Sequence, residues 1–228
     1  MFRIFAPRKE NMKLKTIYNK FDKALIPSLP IAQFEGRIVV ILTAGETEKA
    51  VRYLMDQPIL GFDTETRPSF KRGHQHKVSL LQVATPDICF LFRLNHTGLT
   101  PSLIRLLEDE SITKIGLSWH DDVNSLHKLG NFKPGRFIDL QNMVHDLGIE
   151  DLSLQKIYAN LFGQKISKRQ QLSNWEADVL GDKQKLYAAT DAWACIMIYN
   201  EILRLKESSS YELIIKEENN EANISEKR

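Results

Sequence analysis

Three short segments carry side chains whose types and spacing suit metal-assisted hydrolysis. In Gly61-Phe62-Asp63-Thr64-Glu65-Thr66 two acids are separated by one residue. Side chains of a strand alternate between faces, so Asp63 and Glu65 project from the same side. Carboxylates held side by side repel each other and are costly unless a cation sits between them. An acid pair at a solvated sheet end needs no cation, so this spacing alone leaves both readings open. The second segment is Lys114-Ile115-Gly116-Leu117-Ser118-Trp119-His120-Asp121-Asp122, where a strand gives way to a helix. Either aspartate could cap that helix. Asp121 suits the cap, which leaves Asp122 to point to the sheet edge. The third is Tyr187-Ala188-Ala189-Thr190-Asp191, in a long helical stretch. Tyr187 and Asp191 are four apart and share a helix face. Aspartate is a poor residue for a helix interior. Ala188, Ala189, Ala192 and Ala194 are small enough for the helix to lie close to a sheet, where an acid needs a partner. A local Tyr–Asp hydrogen bond is the plainer alternative.

Taken together, Asp63, Glu65, Asp122 and Asp191 can converge at the carboxyl ends of strands. Hard oxygen ligands in that number suit two Mg²⁺ or Mn²⁺ ions. Two such ions about 4 Å apart stabilise the attacking and leaving oxygens of a phosphodiester displacement. A phenol beside them can orient the attacking water.

Bringing these segments together requires a sheet with a helix across it. Residues 37–42 are rich in Val and Ile and read as a strand. Thr43 and Glu46 have capping-box spacing for a helix over 44–56, which Pro58 ends. Residues 59–65, 77–85 and 88–94 are successive strands, and Thr85-Pro86-Asp87 marks a hairpin turn between the last two. Thr100-Pro101 is an N-cap followed by proline, opening a helix to residue 108. A strand over 113–117, a helix over 121–129 and a short strand over 136–138 follow. Apolar residues at helical spacing then predict helices over 153–161 and 183–206. The order implies an α/β fold with a mixed sheet flanked by helices. Residues 36–206 form one domain, 1–35 an irregular basic extension, and 207–228 a polar, disordered tail.

The 228 residues carry a net charge of +2, with 43% hydrophobic and 26% charged side chains. This composition excludes collagen-like, wholly disordered and disulfide-scaffold classes. Apolar runs such as 38–42 are far too short to cross a membrane, and no signal peptide is expected. Cys89 and Cys195 are isolated, which favours a reducing compartment, the cytoplasm. Positive charge is clustered locally: in residues 1–30, at Arg67, Lys71, Arg72 and Lys77 with His74 and His76 between them, and at Lys165, Lys168 and Arg169. Such patches on a near-neutral chain suit a polyanion that is held and released; solvated surface is the alternative. Lys71 and Arg72 follow the strand of Asp63 on a Gly-containing loop, a position for phosphate contact. Lys168 and Arg169 precede the third segment and are further phosphate candidates. His74 and His76 read as exposed loop residues, and Trp175 and Trp193 as core rather than base-stacking platforms.

The three segments GFDTET, KIGLSWHDD and YAATD resemble the exonuclease motifs of the DEDD superfamily, tyrosine subclass, whose last motif is Tyr-x-x-x-Asp. The resemblance covers residues 36–205. LSLQKIYANLFG (152–163) and QLSNWEAD (171–178) resemble segments shared by ribonuclease D and the Werner-syndrome exonuclease domain, the Werner type being the nearer. The flanking residues leave no room for a helicase or a helical RNA-binding domain. The resemblance implies a ribonuclease H-like mixed sheet of five to six strands flanked by helices. It also implies two-metal hydrolysis from a nucleic-acid 3′ end, single strand or duplex end, releasing nucleoside monophosphates, with DNA favoured over RNA. Ribonuclease D-like trimming of RNA is the alternative. A non-catalytic binding module is disfavoured, because all four acids and the tyrosine are present. By position Asp63, Glu65, Asp122 and Asp191 are the implied metal ligands, Glu65 also positioning the water and Tyr187 orienting it. Asp122 is taken over Asp121 because the family's acid lies eight residues after the motif's lysine, here Lys114. Thr64 is implied beside the terminal nucleotide, and Trp119 or His120 as loose substrate contacts. Asn174 departs from the Asp that many relatives have.

Overall fold

Strand alternation and helix caps account for most of the element order. The computed structural model describes residues 14–71, 73 and 75–216. It begins with β1 (Lys15–Tyr18) and a turn of 3-10 helix, then β2 (Arg37–Ile41) and α1 (Ala44–Leu54). Thr43 and Glu46 form the expected capping box at the start of α1. β3 (Ile59–Thr66), β4 (Val78–Ala84) and β5 (Ile88–Arg93) follow, with Thr85 bonding Ile88 across the hairpin turn. Next come α2 (Leu94–Thr97), α3 (Pro101–Glu108, capped by Thr100), β6 (Thr113–Gly116), α4 (Trp119–His127), β7 (Phe137–Asp139) and α5 (Leu140–His145). The last elements are α6 (Leu154–Phe162), α7 (Asp182–Ser208) and β8 (Tyr211–Ile214).

Six strands make one mixed sheet in the order β2-β5-β4-β3-β6-β7. β3 lies at its centre, antiparallel to β4 and parallel to β6. One face packs Leu60, Phe62, Leu81 and Val83 against α1 and α3. The other packs Leu80, Ala84 and Ile115 against α5, α6 and α7. Because β3 alternates, Gly61, Asp63 and Glu65 face α7 while Phe62 and Thr64 face the opposite layer. No helix among the described residues is long and apolar enough to cross a membrane.

Two expectations are corrected here. The segments flanking residues 36–206 are not wholly irregular. β1 and β8 pair in parallel, from Lys15↔Tyr211 to Tyr18↔Ile214. Ile17 is fully buried, and Tyr211 and Leu213 pack on the core under α5, α6 and α7. Asn160 of α6 clamps β1, accepting from the Tyr18 N–H at 2.9 Å and donating to the Tyr18 carbonyl at 2.6 Å. Residues 1–13 and 217–228 of those two segments lie outside the described residues. The second correction is that α4 starts at Trp119 rather than Asp121. Ser118 takes the N-cap position with φ 57°, so Asp121 falls in the first turn.

Candidate active site

β3 and α7 supply the core of the site. On β3, Asp63 and Glu65 point under α7, facing Gln82 and Leu80 of β4 in the strand register. On α7, Ala188, Ala189 and Ala192 are buried against the sheet and bring Asp191 down onto the same spot. Asp63, Glu65 and Asp191 each offer a carboxylate oxygen, and these oxygens lie within 4.8 Å of one another. Glu65 and Asp191 are only 8% and 7% exposed. Oδ1 of Asp191 is buried with no hydrogen-bond partner among the described residues.

Burial dominates the electrostatics. It pushes Asp63 well above the usual carboxylate range, and the charges of Glu65, Asp191 and Asp122 push it further. Glu65 is raised to about 9 by burial and by the neighbouring Asp191 and Asp122. Asp191 rises to about 7 through burial, opposed by the Tyr187 hydroxyl and the charge of Lys168. Tyr187 stands one turn before Asp191, its ring 5.9 Å from that of Trp175. Burial and then the Asp191 charge raise the phenol far above its ordinary value, so it stays protonated. A buried triplet of hard oxygen donors that repel one another, one of them without a partner, fits a divalent cation.

Asp122 is not part of that triplet. It lies in the first turn of α4, and the Thr64 hydroxyl donates to its Oδ1 at 2.5 Å. Burial raises it to about 7 while the Thr64 hydroxyl opposes the rise. Its charge still reaches Asp63 and Glu65. The start of α4 is held by Asp139, whose carboxylate accepts from the backbone N–H of Ser118 at 3.1 Å and of Trp119 at 2.9 Å. The same carboxylate caps α5 through the Gln141 N–H at 2.9 Å.

The family model described as 3′-5′ exonuclease matches residues 38–206, a span that contains every one of these acids. The chain belongs to the 3′-5′ exonuclease family. It is 30% identical over 203 residues to the bifunctional 3′-5′ exonuclease/ATP-dependent helicase WRN of Mus musculus, covering 85% of this chain and 14% of that protein. It is 29% identical over 225 residues to a 3′-5′ exonuclease of Arabidopsis thaliana, covering 86% of this chain and 74% of that protein. In fold it is similar to the Nibbler EXO domain of Aedes aegypti, with TM-score 0.71 at 20% identity, covering 79% of this chain and 95% of that one. The mixed six-stranded sheet flanked by helices is thus the ribonuclease H-like fold. This exonuclease family uses divalent metal ions, which the Asp63, Glu65 and Asp191 oxygens fit.

Within this exonuclease fold the other candidate residues divide. Thr64, Lys168 and Tyr187 line the cleft over the acids, a space of about 290 Å³. Arg169 lines the adjoining cavity beside Tyr187 and Lys183. Lys71 is exposed on the loop after β3 but does not line the cleft. Arg72 and His74 lie outside the described residues. His120 is exposed on α4, away from the cleft lining. Trp119 as a substrate contact is corrected. Its ring is buried, stacked on Phe137 at 4.1 Å and edge-on to Phe62 at 5.6 Å, because the left-handed Ser118 turns the first residue of α4 into the core. Trp175 is fully buried, in keeping with its core reading. Asn174 accepts from the Glu176 N–H at 3.1 Å, a bond an aspartate oxygen could equally accept.

Three supporting residues escaped the sequence reading. Asp139 showed only as an acid ahead of a helical stretch. Arg93 is buried and donates to the carbonyls of Ala177 and Asp178, holding the segment that leads into α7. Glu176 ties that segment to the loop after β3, at 3.1 Å from Arg67 and 3.0 Å from His76. Lone charges of this kind have no sequence signature, since their partners are remote in the chain.

Proposed function

We propose that this chain is a divalent-metal-dependent 3′-5′ exonuclease that releases nucleoside monophosphates from a nucleic-acid 3′ end. The observation that carries this reading is the buried oxygen triplet of Asp63, Glu65 and Asp191, with the protonated Tyr187 beside it in one cleft. In this reading the triplet and Asp122 would hold two Mg²⁺ or Mn²⁺ ions, which would supply Lewis-acid stabilisation of the charge that develops on the phosphodiester oxygens.

The chain's own side chains do the rest. Glu65 accepts a hydrogen bond from the attacking water, and the Tyr187 hydroxyl orients it. Lys168 offsets phosphate charge at the cleft mouth, and Arg169 extends that positive rim. Lys71, exposed on the loop after β3, holds the strand farther out. Thr64 sets Asp122 and flanks the terminal nucleotide. Phosphate contacts of this kind position a strand without reading bases. Deoxyribonucleotide ends are the first substrate, since the segments at 152–163 and 171–178 are nearer the Werner type. Two free, buried cysteines support work in a reducing compartment such as the cytoplasm.

The test is a time course on matched, end-labelled single-stranded and duplex DNA and RNA with Mg²⁺, Mn²⁺ or chelator. A ladder that shortens from the 3′ end only with metal, and is absent in Asp63→Asn, is expected. Internal cuts, or equal cleavage by Asp63→Asn, would overturn the reading. Faster loss of RNA than DNA would replace the sugar preference and leave the reaction standing.

A further inference from the structure

Gln82 sits in the middle of β4, opposite Asp63 of β3 and Leu91 of β5 in the strand register. Directly opposed residues share a sheet face, with Cβ atoms about 4.5–5.5 Å apart. Gln82 therefore lies beside Asp63 on the face covered by α7. Its immediate neighbours along β4 and across β5 on that face are apolar, Leu80, Ala84 and Leu91, in one cluster with Ala188 and Ala192 of α7. The polar groups one step further along the face are Glu65 of β3 and Arg93 of β5, which donates instead to the carbonyls of Ala177 and Asp178. The side chain is fully buried. Neither its Nε2 nor its Oε1 has a hydrogen-bond partner among the described residues. A buried amide left unpaired is destabilising, and an apolar side chain of similar volume avoids that penalty. Core packing thus gives no reason for glutamine at this position. The adjacent acid does.

We propose that Gln82 is a positioning residue for Asp63: when the triplet holds a divalent cation, Nε2–H of Gln82 donates to the Asp63 carboxylate and fixes its orientation toward the ion. The inference rests on reading the triplet as a cation site. Where a carboxylate binds a cation through one oxygen, a donor to the group from the protein stops it rotating. Gln82 is the polar side chain that β4 sets against Asp63. Removal of such supporting partners lowers metal affinity by roughly 10–100-fold. The amide is then retained for the cation-bound state, at the expense of the cation-free one.

The test is Mn²⁺ binding by the full chain, followed by the electron paramagnetic resonance of free Mn²⁺ and by calorimetry, with thermal melting of the chelated protein. The proteins are wild type, Gln82→Met, Gln82→Leu and the control Asp63→Asn. Gln82→Leu guards against a packing defect peculiar to methionine. Both apolar variants are expected to bind Mn²⁺ at least roughly tenfold more weakly, while their chelated forms melt no lower than wild type. Wild-type affinity in either folded variant overturns the inference. So does a chelated variant that melts far below wild type or fails to fold, since the amide would then already have partners in the cation-free protein. Failure of the wild type itself to bind Mn²⁺, with Asp63→Asn indistinguishable from it, overturns the cation-site reading and the inference with it.

Discussion

A Cβ placed on Gly61 would stand 2.0 Å from the carbonyl oxygen of Ala192. β3 and α7 therefore meet backbone to backbone, next to Asp191 and within two residues of Asp63. This contact sets how far the helix acid stands from the strand acids. A backbone carbonyl cannot swing aside as the tip of a flexible side chain can. Gly61→Ala is expected to lift α7, cost about 1–3 kcal/mol as overpacking does, and weaken cation binding. Urea unfolding and Mn²⁺ titration measure both. A folded variant with undiminished cation affinity would show that the spacing is not set here.

Asp191→Asn keeps the side-chain shape and removes one of the crowded charges. Glu65 and Asp63 both feel that charge. The chelated variant is expected to melt above the chelated wild type, and its turnover to vanish. Added Mn²⁺ should stabilise the wild type and leave the variant unmoved, since only binding to the folded state raises stability. Scanning calorimetry with and without Mn²⁺ checks this. An equal Mn²⁺ effect in both would remove Asp191 from the ligand set.

The raised carboxyls make the stability of the cation-free protein depend on pH with a definite sign. Glu65 moves from 4.5 to about 9, and Asp122 and Asp191 from 3.8 to about 7, chiefly through burial. The folded state then holds protons that the unfolded chain has already released, so stability falls as pH rises through that interval. In chelator, the melting temperature is expected to drop steadily from about pH 5 to about pH 9. Mg²⁺ or Mn²⁺ binds the ionised acids, so its stabilisation should grow over the same range. A flat or rising profile in chelator would contradict the burial of these acids.

The sequence was legible where the signal is local. Alternation placed Asp63 and Glu65 on one face, and Thr43–Glu46 and Thr100-Pro101 marked helix starts that α1 and α3 use. Alanines around Asp191 indicated the close helix–sheet approach that Gly61 confirms. What stayed hidden depends on distant partners. β1 and β8 are four residues each and pair across nearly the whole described chain, so neither shows enough alternation to stand out. The burial of Trp119 follows from a left-handed Ser118, a conformation its residue type does not signal. Asp139 showed only as an acid ahead of a helical stretch; the structure makes it the cap of α5, and its second role exists only because β7 lies beside β6.

Asp139→Ala tests that second role. The substitution strips the acceptor from the N–H groups of Ser118 and Trp119 and uncaps α5. A lost cap alone costs about 0.5–2 kcal/mol. The loosened first turn of α4 carries Asp122, so turnover should fall while substrate KM changes little. Asp139→Asn keeps one acceptor oxygen and should restore part of both losses. Denaturant melts paired with steady-state kinetics separate the effects. A stability loss with unchanged kcat would confine Asp139 to a capping role.

Tyr187→Phe isolates the phenol. The ring packs against Trp175 at 5.9 Å, and phenylalanine preserves that contact, so the fold and strand binding are expected to be unchanged. What disappears is a hydroxyl that burial and Asp191 keep protonated beside the acids. Groups that position or exchange a proton at the reacting atoms contribute on the order of 10²–10⁴-fold. The variant should therefore lose turnover at the lower end of that range, about 10²-fold, because it removes orientation of the water and leaves the acids in place. Strand affinity measured in Ca²⁺ and single-turnover rates in Mg²⁺ distinguish binding from chemistry. Wild-type rates in Tyr187→Phe would make the tyrosine a packing residue, and the task of orienting the water would then fall to Glu65 alone.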